Sequence, residues 1–178
     1  MNRYFIGLIP PEYLSNYITG VKQHLADNYN SKAALNQPPH ITLVPPFELD
    51  KSKEENLYQL INSSLKDTYP FLLTLENYGS FKKKVIYMDV VPNNQLNKLA
   101  SILSEVLQEQ GLIKPSEFEY HPHITVAFKD LTKENYELVW KEYKDKKVYF
   151  NWDINRVSIL KYVDKQWVVL RDISFSHG

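Results

Sequence analysis

Two short segments of the chain carry side chains that can move protons: Pro39-His40-Ile41-Thr42-Leu43 and Pro122-His123-Ile124-Thr125-Val126. An imidazole titrates near pH 6.5, so one of two facing rings can be neutral while the other is protonated. A neutral His takes a proton from an attacking hydroxyl or water, and an imidazolium gives one to a leaving oxygen. Each transfer is typically worth ~10²–10⁴ in rate. On a strand, side chains two residues apart share a face. His40 and Thr42 therefore point one way and Ile41, Leu43 and Phe47 the other, and His123 and Thr125 oppose Ile124, Val126 and Phe128 in the same manner. The hydroxyls of Thr42 and Thr125 can then donate hydrogen bonds to the non-bridging oxygens of a phosphate. A single His-x-Thr on a strand is a common structural pair. Its repetition is what points to catalysis.

His121 shares the face of His123 by alternation, and the two could instead ligate a metal. Zinc needs four ligands, and Glu119 is the only obvious local addition on that face, so neither a metal nor another cofactor is expected. Lys82-Lys83-Lys84 lies between the two segments, as a solvated turn or as a clamp for an RNA backbone. Of 13 Tyr and 8 Phe, Tyr162 is the candidate for stacking on a base, because alternation sends Phe47 and Phe128 to the core side. His24 and His177 carry no assigned role.

The elements that must position these residues are legible from periodicity. Tyr4 to Ile9 is a strand ended by two prolines, with Pro11 placed in a first helical turn. Leu14, Tyr17, Ile18, Val21 and Leu25 form one helical face, and Pro39 to Phe47 is the next strand. Ser52 with Glu55 is a capping-box pattern opening a helix over Leu57, Leu60, Ile61, Ser64 and Leu65, and Phe71 to Leu75 is a strand. The order then restarts with a strand from Val85 to Val91. A helix follows on Leu96, Leu99, Ala100, Leu103 and Leu107, stopped at Gly111. Phe118 to Phe128 is a strand, and Thr132 opens a helix on Tyr136, Val139, Trp140 and Tyr143. Val148 to Trp152, Arg156 to Val163 and Trp167 to Phe175 end the chain as strands, the last two joined by a turn at Asp164-Lys165-Gln166. His40 and His123 are 83 residues apart, as are Tyr4 and Tyr87. A diverged internal repeat, covering roughly 3–79 and 84–163 with a closing hairpin at 156–175, accounts for this.

The 178 residues suit one domain of two small lobes, with roughly 70% of the unfolded surface buried at this size. Lys plus Arg and Asp plus Glu are both 21, which argues against holding long nucleic acid by a general basic field. Cysteine is absent, so thiolate chemistry and disulfides are excluded and a reducing compartment fits. Neither a signal peptide nor an apolar span of about 20 residues is seen. The expectation is a cytoplasmic protein, monomeric, without membrane or obligate protein partners.

Two copies of His-x-Thr, each preceded by Pro and followed by apolar residues in a strand–helix frame, resemble the 2H phosphoesterase superfamily. That superfamily includes 2′-5′ RNA ligase-like proteins and RNA 2′,3′-cyclic phosphodiesterases. The resemblance extends over nearly the whole chain, from the Tyr4 strand to the hairpin of Leu160 to Phe175. It implies an α+β fold of two pseudo-symmetric lobes, each an antiparallel-rich sheet with helices, and a catalytic groove between them. It also implies metal-independent hydrolysis of a small nucleotide or RNA end carrying a 2′,3′-cyclic phosphate or 2′-5′ linkage. His40 and His123 would be the acid–base pair, with acid and base unassigned, and Thr42 and Thr125 would hold the phosphate. Hydrolysis of cyclic oligonucleotide second messengers, or nucleotide binding without turnover, are the alternatives. The family does not require His121.

Overall fold

The first strand carries a continuous buried run from Tyr4 to Leu8 and pairs on both edges, so it sits inside a sheet. The computed structural model describes residues 1–176; His177 lies outside the described residues. The strands are β1 (Asn2–Leu8), β2 (Ile41–Leu49), β3 (Phe71–Phe81), β4 (Val85–Val90), β5 (His123–Ala127), β6 (Tyr149–Ile154), β7 (Arg156–Val163) and β8 (Gln166–Ser174). The helices are α1 (Glu12–Tyr29), α2 (Glu54–Ser64), α3 (Asn94–Glu109) and α4 (Lys133–Tyr143). They form an α+β fold with two four-stranded antiparallel sheets, ordered β2-β1-β7-β8 and β5-β4-β3-β6. No helix among the described residues is long and apolar enough to cross a membrane.

The sheets do not divide the chain at its middle. β3 follows α2 but joins β4, β5 and β6, while β7 and β8 return to β1. The helices are exchanged as well: α1, which links β1 to β2, packs against β5, and α3, which links β4 to β5, packs against β2. Leu14, Ile18 and Leu25 bury the inner stripe of α1, and Leu96, Leu99, Leu103 and Leu107 that of α3. Each such side chain stabilises by about 1.5–3 kcal/mol on burial.

Several local expectations are corrected. β5 begins at His123, not Phe118, since Phe118 is exposed in a local turn on Ser116 and Pro122 cannot donate to a ladder. β2 starts at Ile41 for the same reason, behind Pro38 and Pro39. β3 runs on to Phe81 because it is interior, pairing with both β4 and β6. Pro11 is the residue before α1, not within its first turn. Asp50, not Ser52, accepts at the start of the turn before α2, taking the Ser52 backbone N–H at 2.8 Å and its hydroxyl at 2.7 Å. Tyr4 and Tyr87 are not counterparts: Tyr87 pairs with Thr125 as Gly7 pairs with Thr42, and Tyr4 pairs with Phe47. Thr132 caps α4 and Gly111, at φ 67°, ends α3 as expected.

Gly79 shows how tightly the second sheet is packed. A Cβ there would sit 2.5 Å from the Tyr87 ring, whereas at Gly20, in the exposed middle of α1, it would meet nothing within 4 Å. Gly79→Ala should destabilise by about 1–3 kcal/mol through overpacking, and Gly20→Ala should stabilise by about 0.5–1 kcal/mol. Denaturant titrations of the two variants check both signs; an unchanged Gly79→Ala midpoint would show that the ring is free to move.

Candidate active site

β2 and β5 are the first strands of their sheets, and these two edges lie against each other. Since each carries one His-x-Thr, both motifs come together where the sheets meet. His40, Thr42, His123 and Thr125 are half-buried, while Ile41 and Ile124 are fully buried on the opposite faces. The alternation expected from sequence holds for Ile41 and Leu43 against His40 and Thr42, and for Ile124 and Val126 against His123 and Thr125. Phe128 instead lies beyond the end of β5 and is only half-buried.

Both rings are held in the same way. His40 Nδ1 lies 2.8 Å from the Pro38 carbonyl oxygen, and His123 Nδ1 lies 2.7 Å from that of His121. A carbonyl only accepts, so Nδ1 carries the hydrogen in each ring and Nε2 is left as the basic nitrogen when the ring is neutral. Neither Nε2 atom nor either Thr hydroxyl has a protein hydrogen-bond partner among the described residues. Two proton-transfer nitrogens and two hydroxyl donors are thus available together. Tyr120 ties the two motifs, its phenol donating to the Thr42 carbonyl at 2.9 Å.

The surroundings of the two rings differ. The His40 ring packs on Phe5 at 4.7 Å between centroids. Burial pushes its imidazole down to about 4; the Pro38 carbonyl opposes this, and the charges of Lys22 and His123 add to it. His123 contacts Phe81 and Tyr87 at 4.9 and 5.1 Å. Burial lowers its imidazole too, against the pull of the His121 carbonyl; the His121 ring adds to the lowering and Asp89 opposes it. Charging either ring therefore costs more than in water.

His121 itself is exposed, with Nε2 3.3 Å from Asp89 Oδ1. No group of three or more His, Cys, Asp or Glu among the described residues is arranged to hold a metal ion. Lys82 and Lys83, both left-handed at φ 48° and 54°, form the tip of the β3–β4 hairpin next to Phe81, and Lys83 faces Glu137 at 3.4 Å. Tyr162 does not touch His40; its ring is 5.1 Å from Trp167, which is 4.8 Å from Phe5. His24 lies on the far side of α1, beside Glu142.

Lys22, spaced four residues after Ile18 and three before Leu25, lies on the apolar stripe of α1. It is 1% exposed, and its Nζ donates to the carbonyls of Ala34 and Gln37 at 3.0 and 3.1 Å. Burial pushes its ammonium down to about 8. It thereby fixes the segment that leads into Pro38 and His40. The opposite flank of this segment is held by Asp130, which accepts from the backbone of Lys32 and Ala33 at 2.7 and 2.9 Å.

Two antiparallel sheets meeting edge to edge, with four helices, form an architecture shared by known proteins. Residues 10–166 match the model of the 2′-5′ RNA ligase superfamily. A curated relative from Geobacillus kaustophilus, named "Putative phosphoesterase", is 30% identical over 172 residues, 94% of this chain and 92% of its own. One of the same name from Bacillus pumilus is 28% identical over 170 residues, 94% of each chain. Among solved structures, E. coli LigT complexed with 3′-AMP superposes with a TM-score of 0.68 at 19% identity, over 99% of each chain. A protein from Thermus thermophilus gives 0.71 at 16% identity, over 98% of each. The chain belongs to the 2′-5′ RNA ligase superfamily.

In a Lys22→Met variant the positive charge near His40 is gone, so the His40 imidazole should titrate above its value of about 4. Proton NMR of the His ring signals reads this directly. An unmoved titration would remove Lys22 from the electrostatics of the site.

Proposed function

We propose that this protein is a metal-independent phosphodiesterase acting on small or terminal nucleotide phosphodiesters, with His40 and His123 as its acid–base pair. The observation that carries the reading is the matched pair of rings, each with Nδ1 held by its own backbone and Nε2 unpartnered beside a Thr hydroxyl. In the reaction the neutral ring takes a proton from water, and the oxygen of that water bonds to phosphorus. The bond from phosphorus to the leaving ribose oxygen breaks, and that oxygen takes its proton from the other, protonated ring. On a 2′,3′-cyclic phosphate the product is a nucleoside monophosphate. Thr42 and Thr125 donate to the non-bridging oxygens as charge shifts onto them. The preferred substrate class is an RNA end or nucleotide with a 2′,3′-cyclic phosphate or a 2′-5′ linkage; cyclic oligonucleotides also present a phosphodiester to the same pair.

The direct experiment is turnover of nucleoside 2′,3′-cyclic phosphates, 2′-5′ oligoadenylate and cyclic dinucleotides in excess chelator. His40→Ala and His123→Ala should each lose activity by about 10²–10⁴ with the fold intact. Thr42→Ala and Thr125→Ala should lose about 10²–10³. Wild-type turnover in either His variant would refute the two-histidine mechanism, and turnover restored only by zinc would replace it with a metal site. Nucleotide binding with no turnover across the panel would leave a binding protein on this fold.

The pH dependence follows from burial of the rings. The singly protonated pair is most populated between about 4 and the lowered value of His123, itself below 6.5. Above that window neither ring holds a proton for the leaving oxygen, and below it neither can act as base. The profile of kcat/KM should be bell-shaped with its alkaline limb below the free imidazole value of about 6.5. An alkaline limb above about pH 7, beyond the free imidazole range, would count against this assignment.

A further inference from the structure

The β7–β8 hairpin turns through two left-handed residues, Asp164 and Lys165 at φ 49° and 65°, which sets Tyr162 opposite Trp167. On this face of the first sheet the rings run in sequence from the site outward: His40, Phe5, Trp167, Tyr162. Phe5 is 2% exposed and fills the space between imidazole and indole. Beyond it the exposure changes. Trp167 is half-buried and Tyr162 is 38% exposed. The Arg3 guanidinium lies 5.5 Å from the Tyr162 centroid and 5.7 Å from that of Trp167, and it has no carboxylate partner among the described residues.

An indole, a phenol and an unpaired guanidinium, open to solvent on one face, are the chemistry that receives a flat π-system. The cluster stands one buried ring away from the imidazole that would act on the phosphate, which is the reach of a single nucleoside. We propose that Trp167, flanked by Tyr162 and Arg3, is the nucleobase-stacking platform of the groove and favours purine over pyrimidine nucleotides. A larger ring covers more of the indole and offers more edge to Arg3. Tyr162 is the outer wall of this platform, and Trp167, nearer to His40, is its centre. The proposal rests on the phosphodiesterase reading for its substrate, but the platform itself is testable without turnover.

The test uses the His40→Ala/His123→Ala variant, titrated by tryptophan fluorescence with AMP, CMP and ribose 5-phosphate. AMP should quench more strongly than CMP, and ribose 5-phosphate should not quench. Adding Trp167→Phe should abolish the signal yet leave AMP affinity, read by calorimetry, within a few-fold. Trp167→Ala should weaken AMP by about ten- to hundred-fold and leave ribose 5-phosphate unchanged. In the otherwise wild-type chain, Trp167→Ala should raise KM for a purine 2′,3′-cyclic phosphate far more than it lowers kcat. Equal AMP affinity in Trp167→Ala and its parent, with both folded by circular dichroism, overturns the platform even if turnover is found. Trp167-dependent AMP binding without turnover of any diester supports the platform and sinks the phosphodiesterase reading instead.

Discussion

The constraint on which the site depends is a hydrogen bond made by a ring to its own chain. In Pro38-Pro39-His40 and in His121-Pro122-His123 the imidazole Nδ1 reaches back to the carbonyl two residues earlier. The intervening proline restricts the backbone and offers no N–H, so the strand cannot begin before the His. The ring is thereby placed at the mouth of a strand, in a defined tautomer, with the other nitrogen outward. Ile41 and Ile124 then anchor the following residue in the core, and the Thr returns to the face of the His. Ring, hydroxyl and anchor are fixed by five consecutive residues.

Symmetry in the frame coexists with asymmetry in the field. Around His40 the protein supplies deep burial and the ammonium of Lys22, both unfavourable to a second positive charge. Around His123 it supplies Asp89, which favours one. For the proposed acid–base pair, with one proton held between two rings, unequal surroundings decide which ring carries it. Lys22 acts twice: its hydrogen bonds to Ala34 and Gln37 shape the approach to Pro38, and its charge is felt at the ring.

Most of this was readable from the sequence where short-range rules apply. The two motifs, the alternation of their faces, the four helices and the caps at Thr132 and Gly111 follow from strand and helix periodicity and from turn chemistry. What escaped is long-range. Helices α1 and α3 cover the sheet opposite to the one whose strands they join, and no local pattern encodes that choice. A lysine on an apolar stripe reads as a solvated flank, and only the fold supplies Lys22 with the carbonyls of Ala34 and Gln37. The turn read over Asp164-Lys165-Gln166 is two residues long, Asp164-Lys165, and this register sets Trp167 opposite Tyr162. Distance along the chain pairs Tyr87 with Tyr4, whereas strand register, shifted by irregularities in β1–β2 and β4–β5, matches it to Gly7.

The crossing of the chain between sheets also governs how it can be made. β1 is hydrogen-bonded to β2 on one side and to β7 on the other, with Tyr4 opposite Lys161. During synthesis the first strand must therefore wait, half paired, until nearly the whole polypeptide has emerged. The second sheet, built from β3 to β6, is complete earlier and already has α1 available to cover it. Pairing of β1 with β7 joins strands from opposite ends of the chain, and such long-range pairing is the slow kind to form. The first sheet is completed only when the terminal hairpin sets β7 against β1.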